Sequence, residues 1–189
     1  QGNVMYREMT DANGQIPQIP VVPGTYTFKE VYAPDGYALN EAEMRFTVDA
    51  DGNVTGDTTI HDDYTRFSLH KVDESGKPLS GVMFGLKKAD GMLMMTAKTD
   101  AKGMATFEKV PFGTYTLVET QALPGYLKTD TEIRITVDGT FVNPKEPIET
   151  VTNERQRIRG LKVDTTGQAL PGAAFSQSQS ERFKFMVAP

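Results

Sequence analysis

The chain has 189 residues, 38% of them hydrophobic, which is enough to bury a core in one or two domains of ordinary size. Its 20 Lys and Arg against 25 Asp and Glu give a net charge of −5, scattered without the basic stripe that a nucleic-acid binder needs. There is no cysteine and there are two histidines, His61 and His70, which excludes disulfides, thiolate metal sites and a cysteine nucleophile and argues against a multi-histidine metal centre.

Short runs rich in Val, Thr, Phe and Tyr, separated by Asn13-Gly14, Asp35-Gly36, Asp51-Gly52, Asp90-Gly91 and Asp138-Gly139, predict strands joined by tight turns. No stretch carries a 3.6-residue period, so an all-β sandwich or barrel with almost no helix is expected. Residues i, i+2 and i+4 of a strand share a face. The first strong run, Pro23-Gly-Thr-Tyr-Thr-Phe-Lys-Glu30, puts Tyr26, Phe28 and Glu30 on one face. Asp49-Ala-Asp51-Gly52-Asn53 reads as an acidic turn rather than a calcium loop, because it lacks the later bidentate glutamate. Asn53-Val-Thr55 matches a glycosylation acceptor, which matters only in a secretory pathway that uses it. Ile60 and Asp62 follow on a shared parity, and then Phe67, Leu69 and Lys71. Met92-Leu-Met-Met95 reads as core or strand face. Tyr115, Leu117 and Glu119 form the next mixed row, and Val151 and Asn153 the last. His61 and His70 flank strand-like runs and read as solvated. In the final part Lys162 shares parity with Ile158 and Gly160, while Leu161 and Val163 lie opposite, and Ser176-Gln-Ser-Gln-Ser180 reads as an interrupted strand.

The chain repeats. Phe67-Ser-Leu-His-Lys-Val-Asp73 returns as Ile158-Arg-Gly-Leu-Lys-Val-Asp164, an offset of 162 − 71 = 91. Pro23-Gly-Thr-Tyr-Thr-Phe-Lys-Glu30 returns as Phe112-Gly-Thr-Tyr-Thr-Leu-Val-Glu119, an offset of 119 − 30 = 89. A repeat of that length is domain-sized and means beads on a string. Residues 1–64 read as the back part of one domain, 65–154 as a whole domain, and 155–189 as the front part of a third. By the same alignment Asp62 takes the place of Asn153.

Lys71, Glu119 and Asn153 are polar residues on apolar faces. A lone buried lysine or glutamate is costly and each is driven toward its neutral form. Together they make an uncharged amine nucleophile beside a carboxyl group that can hold and pass a proton, with an Asn carboxamide or Asp carboxyl group as electrophile. The plain alternative is a salt bridge between Lys71 and Glu119 at the domain rim.

Four motifs in order, Lys71-Val-Asp73, Gly113-Thr-Tyr-Thr-Leu-Val-Glu-Thr120, Pro124-Gly-Tyr126 and Thr152-Asn153, resemble the Cna-B (SpaA-like) repeats of Gram-positive pilins and surface adhesins. The resemblance covers essentially the whole chain. It implies tandem Greek-key, Ig-like β-sandwich domains, and an isopeptide bond in which Lys71 attacks Asn153, Glu119 shuttles protons and ammonia leaves once. The family also uses Asp as acceptor, with water leaving. Asp62 is then a possible cross-link acceptor with Glu30 as its catalyst, and Lys162 a possible amine donor. The implied role is structural, a shaft or stalk segment of a secreted filament on the bacterial cell surface, with neighbouring domains or subunits as partners. No cofactor, metal, nucleic acid, membrane span or external turnover is expected. Two alternatives are a ligand-binding adhesin module for a host matrix protein or glycan, with Tyr32, Tyr37 and Tyr64 as candidate contacts, and a subunit whose C-terminal part completes the N-terminal part of the next. A signal peptide or wall anchor is expected outside this sequence.

Overall fold

A computed structural model describes residues 5–175 of the chain. It divides into two compact units, Gln1–Arg155 and Gln156–Pro189. Among the described residues there are ten strands and no helix.

In the first unit, β1 (Gly24–Lys29), β2 (Glu43–Val48) and β3 (Val54–Gly56) form an antiparallel sheet in that order. The Asp51-Gly52 turn joins β2 to β3, with Gly52 in the left-handed region at φ 82°, where glycine meets no Cβ penalty. Asp49 closes this turn by accepting from the amides of Asp51 and Asn53 and from the Asn53 side chain, so the acidic run is a turn.

The rest of the unit is a two-layer sandwich. One sheet has the order β10 (Thr150–Asn153), β4 (Arg66–Asp73), β7 (Met104–Glu108). The other has the order β6 (Leu93–Lys98), β5 (Met83–Lys87), β8 (Gly113–Gln121), β9 (Glu132–Val137). Alternation along each strand decides which side is buried. Phe67, Leu69, Ala105, Phe107 and Val151 from the first sheet form one core with Phe84, Leu86, Leu117 and Val137 from the second. Met94 and Met95 pack against that core, while Met92 is exposed. The first and last strands, β4 and β10, pair in parallel, Val151 beside Lys71 and Asn153 beside Asp73.

The segment at 59–62 is not a strand, although Ile60 and Asp62 carry the same alternation as Val151 and Asn153. Residues 150–153 are extended because β4 supplies a ladder for their backbone groups. Residues 59–62 have no such neighbour among the described residues, and strand propensity alone does not hold a backbone extended.

The three-stranded sheet is joined firmly to the sandwich. Thr65 is fully buried, its hydroxyl donating to Val110 O at 2.5 Å and its amide to Gly36 O at 3.0 Å. Asn143 straddles the crossing: its Oδ1 accepts from the Arg66 amide at 2.7 Å and its Nδ2 donates to Tyr64 O at 2.9 Å. Tyr37 stacks on Tyr64 at 5.2 Å, and the Lys109 amine lies 4.4 Å from the Tyr64 ring centre. Tyr32 meets Phe112 edge-on at 6.3 Å.

In the second unit the described residues 156–175 hold one hairpin-like turn, with a bridge between Val163 and Ala169. The turn copies that at Asp73. Asp164 Oδ1 accepts from the Thr166 amide and hydroxyl and from the Gln168 amide, as Asp73 Oδ1 accepts from the Ser75 amide and hydroxyl and from the Lys77 amide. Ser176–Ser180 lies outside the described residues.

Candidate functional site

Lys71, Glu119 and Asn153 meet inside the sandwich. Lys71 and Asn153 lie on the inward parity of the paired strands β4 and β10, and Glu119 comes from β8 in the facing sheet. All three are buried to within 2% of complete. Lys71 Nζ lies 2.5 Å from Asn153 Oδ1 and 3.4 Å from Glu119 Oε2. Asn153 Nδ2 donates to Glu119 Oε1 at 2.8 Å. One carboxyl group therefore spans the amine and the carboxamide nitrogen. Its Oε2 is buried, with the Lys71 amine as its ion-pair neighbour.

The backbone fixes this geometry from both sides. The Lys71 amide donates to Gly103 O at 2.8 Å, and the Leu79 amide donates to Lys71 O at 2.9 Å. Gly103 sits at φ 75°, and a Cβ there would collide with the Lys71 carbonyl, so only glycine fits beside the lysine. Opposite, Glu119 is paired with Phe84 on β5.

Burial pushes the Lys71 amine below its ordinary value, and the Glu119 carboxylate opposes this by Coulomb attraction and hydrogen bonding. The net direction is toward a neutral amine. The Nζ to Oδ1 separation of 2.5 Å is shorter than an N–H···O bond to a charged donor, which runs about 2.7–2.9 Å. Adding the carbonyl length places Nζ no farther than about 3.7 Å from Asn153 Cγ. That is close to the range in which reacting atoms are poised.

Asp73 forms a second polar cluster just beyond the lysine, which the sequence marks only through the Lys71-Val-Asp73 motif. It is buried, and the Ser75 hydroxyl, the Lys77 and Ser75 amides and the Arg155 guanidinium hold it well below the usual aspartate range against the opposing effect of burial. Its Oδ2 lies 3.1 Å from Arg155 Nη2 and 3.5 Å from the Tyr126 hydroxyl. The Pro124-Gly-Tyr126 motif thus ties its loop to the ends of β4 and β10, with Tyr126 bridged to Arg155 and Leu127 N donating to Glu154 O.

The other sequence-derived residues take no part in the contacts among Lys71, Glu119 and Asn153. Glu30 and Asp62 are half-buried neighbours. Burial raises the Glu30 carboxyl above its ordinary value, the Asn40 amide opposes this, and Asp62 adds to it by charge and hydrogen bonding. Asp62 Oδ1 is buried without a hydrogen-bond partner. Lys162 is exposed in the second unit. His61 is exposed and His70 half-buried, and no group of His, Cys, Asp or Glu able to hold a metal occurs among the described residues. No described helix is long and apolar enough to cross a membrane. Tyr37 and Tyr64 stack on each other, and Tyr32 packs edge-on against Phe112.

The sequence matches the SpaA prealbumin-like fold domain over residues 1–63 and again over 65–147. The chain belongs to this family. None of the curated proteins matches it. Among solved structures, the SpaA-type chain is similar to the Bacillus anthracis TIE protein, at 23% identity and TM-score 0.43 over 77% of this chain and 28% of that one. It is also similar to BcpA, the major pilin subunit of Bacillus cereus, at 16% identity and TM-score 0.41 over 60% of this chain and 37% of that one. A third is the C-terminal fragment of the pilus adhesin SpaC from Lactobacillus rhamnosus GG, at 20% identity and TM-score 0.42 over 82% of this chain and 88% of that one. The chain thus spans well under half the length of the first two.

Proposed function

We propose that residues 65–154 form a self-cross-linking structural module of a bacterial surface filament or adhesin shaft, locked by an isopeptide bond between Lys71 and Asn153. The observation that carries this reading is a single buried carboxyl group, Glu119, held against both the amine and the carboxamide. In the neutral form of the Lys71–Glu119 pair the amine attacks Asn153 Cγ. A Cγ–Nζ bond forms and the Cγ–Nδ2 bond breaks. Glu119 protonates the leaving nitrogen and takes a proton from Nζ, so ammonia departs and Glu119 is regenerated. The reaction happens once per chain and consumes no outside reagent. Oriented reactants in a dry site can supply roughly 7–11 kcal/mol of the barrier reduction. The bond would close a loop spanning 82 residues, worth about 4.5 kcal/mol in the chain-entropy description.

The burial of Lys71 and Glu119 favours this over a simple rim salt bridge. A buried ion pair rarely repays its desolvation, whereas a neutral amide between the same strands carries no charge. Intact mass spectrometry tests the reading. The protein is expected to be one ammonia lighter than its sequence, with a branched peptide joining Lys71 to Asn153. Glu119→Gln is expected to fold and keep the full sequence mass, because an amide cannot relay the proton. A wild-type protein at full sequence mass would refute the proposal.

A further inference from the structure

A bond between Lys71 and Asn153 needs β10 in one register, and the sequence of β10 specifies that register weakly. The strand is Thr150-Val-Thr-Asn153 and pairs with β4 over those four residues. A slip by one residue would turn Asn153 out of the core. A slip by two would keep Asn153 and Val151 on the inward parity but carry Asn153 about 6.6 Å along β4. The backbone contacts leading into the pair are the Ile148 amide donating to Ser68 O at 2.8 Å and the His70 amide donating to Glu149 O at 2.9 Å. They belong to a ladder that a two-residue slip would rebuild, so they do not choose between the two registers.

Arg155 makes a side-chain contact that does choose. It lies two residues beyond Asn153, as Asp73 lies two residues beyond Lys71. Asp73 is buried, and its Oδ1 is filled within its own turn by Ser75 and Lys77. The Asp164 turn is built through the same Oδ1 contacts, so forming the turn does not call on the second oxygen. At Asp73 that second oxygen, Oδ2, reaches across to Arg155 Nη2 at 3.1 Å, with the Tyr126 hydroxyl at 3.5 Å. The Tyr126 ring centre lies 5.6 Å from the guanidinium carbon, so ring and carboxylate both hold the arginine head. The bridge between Tyr126 and Arg155 does not itself require arginine, because its counterpart in the preceding repeat joins Tyr37 to Tyr64. The Arg155 side chain also stays half in water, where an ion pair adds little to overall stability. What the arginine adds is a charged partner for a buried oxygen, available in one register only.

We propose that Arg155 is a positioning residue for the Lys71–Asn153 reaction, pairing with Asp73 to hold β10 in the register that brings the carboxamide to the amine. This rests on the cross-linking reading above and supplies the step before it. The pair forms first and is not consumed. Neither group enters the contacts among Lys71, Glu119 and Asn153, so both act through the strands that carry the reacting residues. A two-residue slip would draw the guanidinium away and leave Asp73 Oδ2 buried beside no cation. One hydrogen bond to a charged group weights the correct register by about tenfold or more.

The experiment follows intact mass with time after a pulse of cell-free synthesis of the full chain, so that the rate of ammonia loss is read directly. Arg155→Ala and Arg155→Met, which keeps the apolar stem but not the charge, are both expected to slow that loss by about tenfold. Arg155→Lys is expected to recover part of the rate, since it restores the charge without the planar fork. Val137→Ala, a core change beside Gly113 at the opposite end of β8 from Glu119, controls for lost stability and is expected to react at the wild-type rate once folded. A second arm uses Glu119→Gln, in which no bond forms. There the β10 amides are expected to exchange with solvent about tenfold faster when Arg155→Ala is added, which reads the register without the chemistry. A wild type that keeps its full sequence mass would remove the reaction and the positioning role together. A wild type that loses ammonia while Arg155→Ala does so equally fast would remove the positioning role alone. An equal slowing in Arg155→Ala and in Val137→Ala, or β10 exchange unchanged by Arg155→Ala, would also overturn it.

Discussion

At the scale of single residues, the site is governed by what burial does to charge. Burial disfavours the charged Lys71 amine, and the Glu119 carboxylate beside it partly offsets that cost. Asp73, one position beyond Val72, has the opposite fate. It stays ionised because its oxygens are filled by the Ser75 hydroxyl, two amides and Arg155. A carboxyl held below its ordinary value of 3.8 adds stability above that value, and the addition is lost as pH falls through it toward the folded-state value. Asp73→Asn is therefore expected to destabilise the protein most near neutral pH, with the gap to wild type narrowing as pH drops from about 5 to about 2. Urea unfolding across that range reads it. A gap that stays constant with pH would mean that Asp73 acts through shape alone.

At the scale of strands, alternation decides nearly everything about the sandwich. The parity of Phe67, Leu69 and Lys71, of Tyr115, Leu117 and Glu119, and of Val151 and Asn153 is visible in the sequence, and each set is buried in the fold. Two things were not visible. The same parity at Ile60 and Asp62 gives no strand, because a strand needs a neighbour and the pattern of one segment cannot report whether its neighbour is present. The second is the Asp73 cluster, since Arg155 reaches it across 82 positions of sequence and nothing local to either residue announces the pairing. By contrast, the Asp73 and Asp164 turns form in two different surroundings, so they are encoded locally by Asp, a small hydroxyl residue and Gly. Gly103 is where the loop before β7 meets β4. Gly103→Ala is expected to cost more than about 1 kcal/mol, since it places a Cβ in a left-handed conformation and against the Lys71 carbonyl. The denaturation midpoint and the extent of the proposed ammonia loss should fall together, because the displaced backbone carries Lys71 with it. A variant as stable and as fully cross-linked as wild type would contradict this role.

At the scale of the molecule, the first unit is one body because the crossing from the three-stranded sheet to the sandwich is buried and hydrogen-bonded rather than left as a linker. Asn143→Ala removes the side chain that holds Tyr64 O and the Arg66 amide together. Residual dipolar couplings are expected to show one alignment for both parts in the wild type and two in this variant; a single alignment in both would place the rigidity elsewhere, in Thr65 or the Tyr37–Tyr64 stack. The parallel pairing of β4 with β10 has a further consequence. The chain enters the sandwich along one of these strands and leaves along the other in the same direction, so it exits at the far end. Tension applied through the two ends then drags the strands lengthwise past each other. The rungs between Thr150–Asn153 and His70–Asp73 carry the load together, in shear, instead of opening one after another like a zip.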